Sequence, residues 1–112
     1  MARDFTKYEF EGKTYSKMRL VSAVVKRHMQ TNPNLSAAEL MAQFEPIRTN
    51  TVQTVNFVRS QNRRHLYCDM PGETIKTTTD ECVTLIHWTL NDIEKFIAGV
   101  ESWGYIIKKV EK

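Results

Sequence analysis

Arg48-Thr49-Asn50-Thr51-Val52-Gln53-Thr54-Val55-Asn56-Phe57-Val58-Arg59-Ser60 is the stretch whose reading decides the architecture of this chain. Val52, Val55 and Val58 recur every three residues, as the buried stripe of a helix does. The same run is dense in Thr and Val, whose branched Cβ stiffens the side chain and favours strand. The periodicity predicts a third helix beginning near Thr51, with strand left as the alternative on composition.

Working upstream, residues 5–10 alternate apolar with polar, and Tyr8, Phe10 and Tyr15 flank Glu11-Gly12-Lys13, the pattern of a short hairpin whose aromatics cover one side of a core. Ser16 is placed to cap a helix running to about Gln30, with Leu20, Val21, Val24, Val25 and His28 or Met29 at helical spacing; Asn32-Pro33-Asn34 stops it. Leu35-Ser36-Ala37-Ala38-Glu39-Leu40 sets a capping serine three residues before a glutamate, with leucines at the two staple positions. A second helix therefore runs to about Phe44, and Pro46 ends it.

Downstream, residues 64–68 read as a strand, Met70-Pro71-Gly72 as a turn, and 74–78 as extended chain leading into a strand over 82–88, together a ribbon of two or three strands. Thr89 opens a last helix with Asp92 three residues on, and Ile93, Phe96, Ile97, Val100 and Trp103 form its apolar face. Gly104 ends it, and 105–110 is a final strand. The fold class expected is α+β.

With 112 residues, 41% of them apolar and 26% charged, the chain has the size and composition of one folded domain. Its longest apolar run, near Leu20, is broken by Ser22 and falls far short of the roughly 20 residues that span a bilayer. The first residues lack the apolar stretch of a secretory signal, so a cytoplasmic location without membrane contact is expected. Cys68 and Cys82 form no C-x-x-C pair and lie at no metal-ligand spacing from a histidine, which fits free thiols in a reducing compartment, although neighbouring strands could pair them.

Sixteen Lys and Arg against thirteen Asp and Glu give +3 and a pI near 9.0, an excess that permits nucleic-acid binding without requiring it. Twelve of those cations lie within the first 76 residues, where most acids are scattered singly. The order of strand, three short helices, ribbon, helix and strand resembles a winged-helix layout, in which two helices position a third in the major groove and the ribbon touches the backbone. On that layout the third helix carries the reading surface. Arg48, Asn50, Gln53, Asn56 and Arg59 are side chains of the types that hydrogen-bond base edges and phosphates, and Arg63 and Arg64, beside His65, supply adjacent phosphate-gripping forks. The plainer reading of both segments is a solvated helix face and a solvated turn.

No catalytic set can be assembled. His28 lies by an apolar helix face, His65 follows arginines and His87 precedes Trp88; Asp80-Glu81 and Asp92-Glu94 sit at a turn and a helix start, where the dipole favours carboxylates. Gly-rich phosphate loops, H-E-x-x-H and G-x-S-x-G are absent. No enzymatic activity, cofactor or metal is expected. Trp88, Trp103, Tyr67 and Tyr105 could stack on bases, but their apolar neighbours favour a core.

Two stretches, from Gly12-Lys13-Thr14-Tyr15 through Asn32-Pro33-Asn34-Leu35-Ser36-Ala37-Ala38-Glu39-Leu40 and from Arg64-His65-Leu66-Tyr67 through His87-Trp88 to Trp103-Gly104-Tyr105-Ile106-Ile107, together resemble small, largely uncharacterised bacterial and phage-type proteins. The resemblance implies a prokaryotic or phage origin and transfers no catalytic residues; residues 48–62 match it least. The expected function is a DNA-binding or regulatory module, alone or as a homodimer, that grips double-stranded DNA through Arg48, Arg59, Arg63 and Arg64 and touches bases through Asn50, Gln53 and Asn56. The alternative is a protein-interaction module that docks on a nucleic-acid-processing machine, with Tyr8, Phe10 or Trp88 as anchors if exposed.

Overall fold

A computed structural model describes residues 7–68 and 74–110. Glu11 and Gly12 both adopt positive φ, 52° and 81°, the combination that closes a two-residue hairpin with the twist of its strands. Strand β1 (Lys7–Phe10) thus folds back on β2 (Lys13–Tyr15), with Phe10 opposite Lys13, and buries Tyr8 and Phe10 while Lys7 and Glu9 face out. Strand β6 (Ile107–Val110) pairs antiparallel along the other edge of β1 and completes the first sheet, in the order β2-β1-β6. Phe5, at the start of the expected hairpin, lies outside the described residues.

Helix α1 (Lys17–Thr31) buries Leu20, Val21, Val24, Val25, His28 and Met29 along one face. Ser16 occupies its N-cap position, yet the side chain makes no cap hydrogen bond. Helix α2 (Ala37–Phe44) has the full capping box, Ser36 accepting from the Glu39 amide while the Glu39 carboxylate accepts from the Ser36 amide, and those bonds hold the Glu39 carboxyl below its ordinary range.

The decisive stretch is both strand and helix. Residues Val52–Thr54 form β3 and Val55–Ser60 form α3, with the switch at Thr54, whose hydroxyl caps the helix by accepting from the Phe57 amide at 3.2 Å. The valine repeat is shared between two layers: Val52 points into the main core, whereas Val55 and Val58 join Tyr67 and Val83 in a second cluster. A helix starting at Thr51 would remove β3 from its antiparallel partner β5 (Glu81–Thr84), where Val52 faces Thr84 and Thr54 faces Cys82.

Residues 64–68 are not the strand that their composition suggests. Helix α3 ends with Asn62 at φ 54°, the Arg63 amide donating to the Val58 carbonyl and the Asn62 amide to that of Arg59, a left-handed cap usually built on glycine. The chain then makes a 3₁₀ turn at Arg64–Leu66 and reaches the sheet only at Tyr67, in a single bridge to Leu85. Strand β4 (Ile75–Lys76) pairs with β5, so the second sheet runs β3-β5-β4. The predicted strand over 82–88 stops at Thr84, and the predicted turn at 70–72 lies outside the described residues.

Helix α4 (Leu90–Glu101) begins with a Thr89–Asp92 capping box and is closed by Gly104 at φ 99°. Ile93, Phe96 and Val100 are fully buried, but Trp103, expected on the same apolar face, is 41% exposed. Among the described residues the result is an α+β fold of four α-helices and two small antiparallel sheets, α1 packing against strands of both. Among the described residues no helix is long and apolar enough to cross a membrane.

Candidate functional site

Alternation along β5 sends Cys82 into the main core and Val83 to the opposite side, so α3 packs on the face of the second sheet that points away from α1. Burial of Val55 and Val58 leaves Asn56, Phe57, Arg59 and Ser60 outward. Asn56 and Arg59 of α3, Lys76 of β4 and the Thr77–Glu81 turn then line a groove of about 480 Å³ between the helix and the β4–β5 ribbon, with Asp80 and Glu81 as its carboxylates. Arg63 and Arg64 follow the helix's end, both exposed. Arg63 is near enough to Tyr67 to oppose, together with Arg48, the burial that raises the phenol's pKa.

The remaining sequence-predicted contacts do not converge on that groove. Asn50, at φ 63°, accepts from Gln53 Nε2 at 3.1 Å through its side chain, and from the Tyr67 hydroxyl at 3.2 Å through its carbonyl; its amide donates to Glu45. The two side chains expected to read bases therefore bond each other. Arg48 is turned inward: its guanidinium lies 4.6 Å from the Trp88 ring centroid, donates to the His87 carbonyl at 2.8 Å and pairs with Asp92 at 3.6 Å. Trp88 itself is buried, as are Tyr8 and Phe10, so none of the three is an exposed anchor. Among the described residues the large apolar side chains that do meet solvent are Phe57, Leu90, Trp103, Ile106 and Val110.

A second basic surface went unread in the sequence. Residues 12–38 contain five Lys or Arg and no Asp or Glu, and Arg19, Ser22 and Lys26 recur at spacings of three and four, which stacks them on one face of α1. That face looks toward the β1–β2 hairpin. Lys13, Tyr15, Arg19, Ser22, Lys26 and Arg27 line a groove of about 350 Å³ there; among the described residues its one carboxylate is Glu11, held by Arg27 at 2.8 Å. The signal was the missing acids, which a list of cations does not reveal.

A further cleft, about 850 Å³, opens where α1, α2 and α4 meet, lined by His28, Gln43, Pro46, Ile47, Lys95, Gly99 and Trp103. His28 was read as a residue at the core's edge. It sits in an aromatic array, stacked on Trp103 with centroids 5.1 Å apart and edge-on to Phe44 and Tyr105. Its Nδ1 meets the Tyr105 hydroxyl at 2.8 Å and its Nε2 the Gln43 side-chain oxygen, so both ring nitrogens are engaged. A ring held at both nitrogens ties α1 to α2 and to the chain that follows α4.

Cys68 and Cys82 are buried and not joined in a disulfide, and burial, with the Asp80 charge adding to it, pushes the Cys82 thiol up to about 11. Among the described residues no group of three or more His, Cys, Asp or Glu could hold a metal ion. No protein-family model matches the chain, and no curated protein or solved structure shows significant similarity to it.

Proposed function

We propose that this chain is a non-enzymatic module that binds double-stranded DNA through the phosphate backbone, in a winged-helix-like manner, with α3 as the short presenting helix and β4–β5 as the ribbon beside it. The observation that carries the reading is the shared groove: Asn56 and Arg59 from the helix and Lys76 from the ribbon line one opening, which Asp80 and Glu81 share, and Arg63 and Arg64 follow the helix end, both exposed. Forked guanidiniums at fixed full charge suit phosphate oxygens. A six-residue helix offers few side chains to base edges, and Asn50 and Gln53 bond each other, so backbone contact outweighs sequence reading.

Labelled duplex titrated at low and near-physiological salt tests this. Affinity should fall with salt by a log-log slope of roughly one per phosphate contact, and Arg63→Ala with Arg64→Ala should lower that slope by about two for every duplex sequence. Binding indifferent to salt, or to the double substitution, would remove the proposal. The competing reading, a protein-docking module, is favoured by Trp103 at 41% and Ile106 at 72% exposure on neighbouring turns of chain. A stoichiometric protein partner retained in high salt and nuclease, and lost on Ile106→Asp, would support it.

A further inference from the structure

We propose that the groove between the β1–β2 hairpin and α1 is an oxyanion site for a phosphate group, gripped by Lys13, Arg19 and Lys26 with the Ser22 hydroxyl at its floor. The inference stands apart from the α3 surface and from the reading placed on it.

Three observations converge. The cationic side chains come from two elements, Lys13 from β2 and the others from α1, so the groove is walled on both sides by positive charge and the folded hairpin assembles it. Among the described residues its lining holds four Lys or Arg and one carboxylate, Glu11, which is engaged with Arg27 at 2.8 Å. Ser22, only 2% exposed, also lines the groove, and its buried hydroxyl has no hydrogen-bond partner. A buried hydroxyl without a partner is costly, and such groups in folded proteins call for an explanation. An anion seated in the groove supplies one, an oxygen acceptor for the Ser22 O–H, within reach of a lining rich in Lys and Arg. A phosphate group presents several acceptor oxygens at high charge density, which matches a lining rich in N–H and O–H donors.

Inorganic phosphate against chloride at matched ionic strength is the first probe, read by calorimetry and by thermal unfolding of the full chain. Saturable binding and a rise in midpoint with phosphate alone are expected. Joint Arg19→Gln and Lys26→Gln substitution should weaken binding at least tenfold, and Lys13→Gln, on the exposed hairpin edge where folding is not at stake, by several-fold. Ser22→Ala is the sharper variant. Without phosphate it should be as stable as the parent or more so, since it deletes a polar group that has no partner, and yet it should bind phosphate more weakly. Phosphate no more effective than chloride, full affinity in the Lys13 variant, or a Ser22→Ala chain less stable in chloride would each overturn the site. Competition separates the sources of the group: displacement of phosphate by a duplex assigns the site to a nucleic-acid backbone, and displacement by a nucleoside monophosphate but not by duplex assigns it to a free phosphomonoester.

Discussion

Arg48→Ala should destabilise the protein by about 2–3 kcal/mol and leave its affinity for duplex DNA unchanged. The magnitude follows from three contacts made by one guanidinium. Its donation to the His87 carbonyl at 2.8 Å is a hydrogen bond from a charged group, of the kind that contributes about 1.5–3 kcal/mol where solvent is excluded. Its position 4.6 Å from the Trp88 ring centroid adds about 0.5–1 kcal/mol. The Asp92 pair is longer, 3.6 Å, and both side chains keep about a third of their surface (31% and 32%), so solvent screening reduces it to a few tenths of a kcal/mol. The first two terms are discounted because they share that partial exposure and one ordered side chain.

For a chain of this length each kcal/mol lowers the midpoint by roughly 4 °C, giving a fall of about 10 °C, measurable by circular dichroism. Arg48→Lys should recover less than half, since an ammonium keeps the charge but loses the planar fork that donates and stacks together. Duplex titration of the same variants completes the experiment. A stability within about 0.5 kcal/mol of the parent, or duplex affinity falling while stability holds, would show that the guanidinium leaves Trp88 to meet a partner, and the structural account of Arg48 would fail.

Two further outcomes test the packing and the charge balance. A Cβ on Gly99 would lie 2.8 Å from Ile47 Cγ1, so Gly99→Ala should cost about 1 kcal/mol despite the better helix propensity of alanine, and should turn stabilising in an Ile47→Ala background; urea unfolding of the four chains closes the cycle, and stabilisation on the parent background would refute the close approach. Desolvation pushes the Asp92 carboxyl upward, but its bonds with Thr89 and the charges of Arg48 and Lys95 outweigh that and hold it below the ordinary value, so its contribution is present above the ordinary carboxylate pKa and is lost as pH falls through the lower folded value. Asp92→Asn should therefore be less stable than the parent near neutral pH and match it at about pH 2; a deficit that persists in acid would point to packing instead.

Local chemistry made much of the fold legible. Both capping boxes, the Glu11-Gly12 hairpin and the Gly104 stop are written within four residues of sequence, and each forms as its residues suggest. Residues 48–60 were harder because two periods overlap: a strand of three residues and a helix of six are each too short to establish a rhythm, and Val52, Val55 and Val58 imitate one stripe while serving two clusters. The deciding residue, Thr54, is β-branched and so suits the strand that it ends and the cap that it provides. Residues 64–68 misled for a related reason. Asn62 can adopt the left-handed cap usually left to glycine, and nothing in Arg64-His65-Leu66 announces a 3₁₀ turn.

The site was less legible than the fold because a charge in a sequence carries no direction. Arg48 and Arg59 are eleven residues apart and identical in chemistry, yet a buried indole and the His87 carbonyl draw one inward, while the end of a short helix presents the other beside Lys76. Cations in chain order therefore overstate the α3 surface, where Asp80 and Glu81 share the groove, and understate α1, where no acid intervenes over residues 12–38. The spacing of Arg19, Ser22 and Lys26 was readable as a helix face from the start. What the sequence could not supply is the opposite wall. Lys13 belongs to that face only because the left-handed Glu11-Gly12 turn folds β2 against β1 and the hairpin packs on α1; any change that opens the turn should disperse the positive groove without altering a single charge.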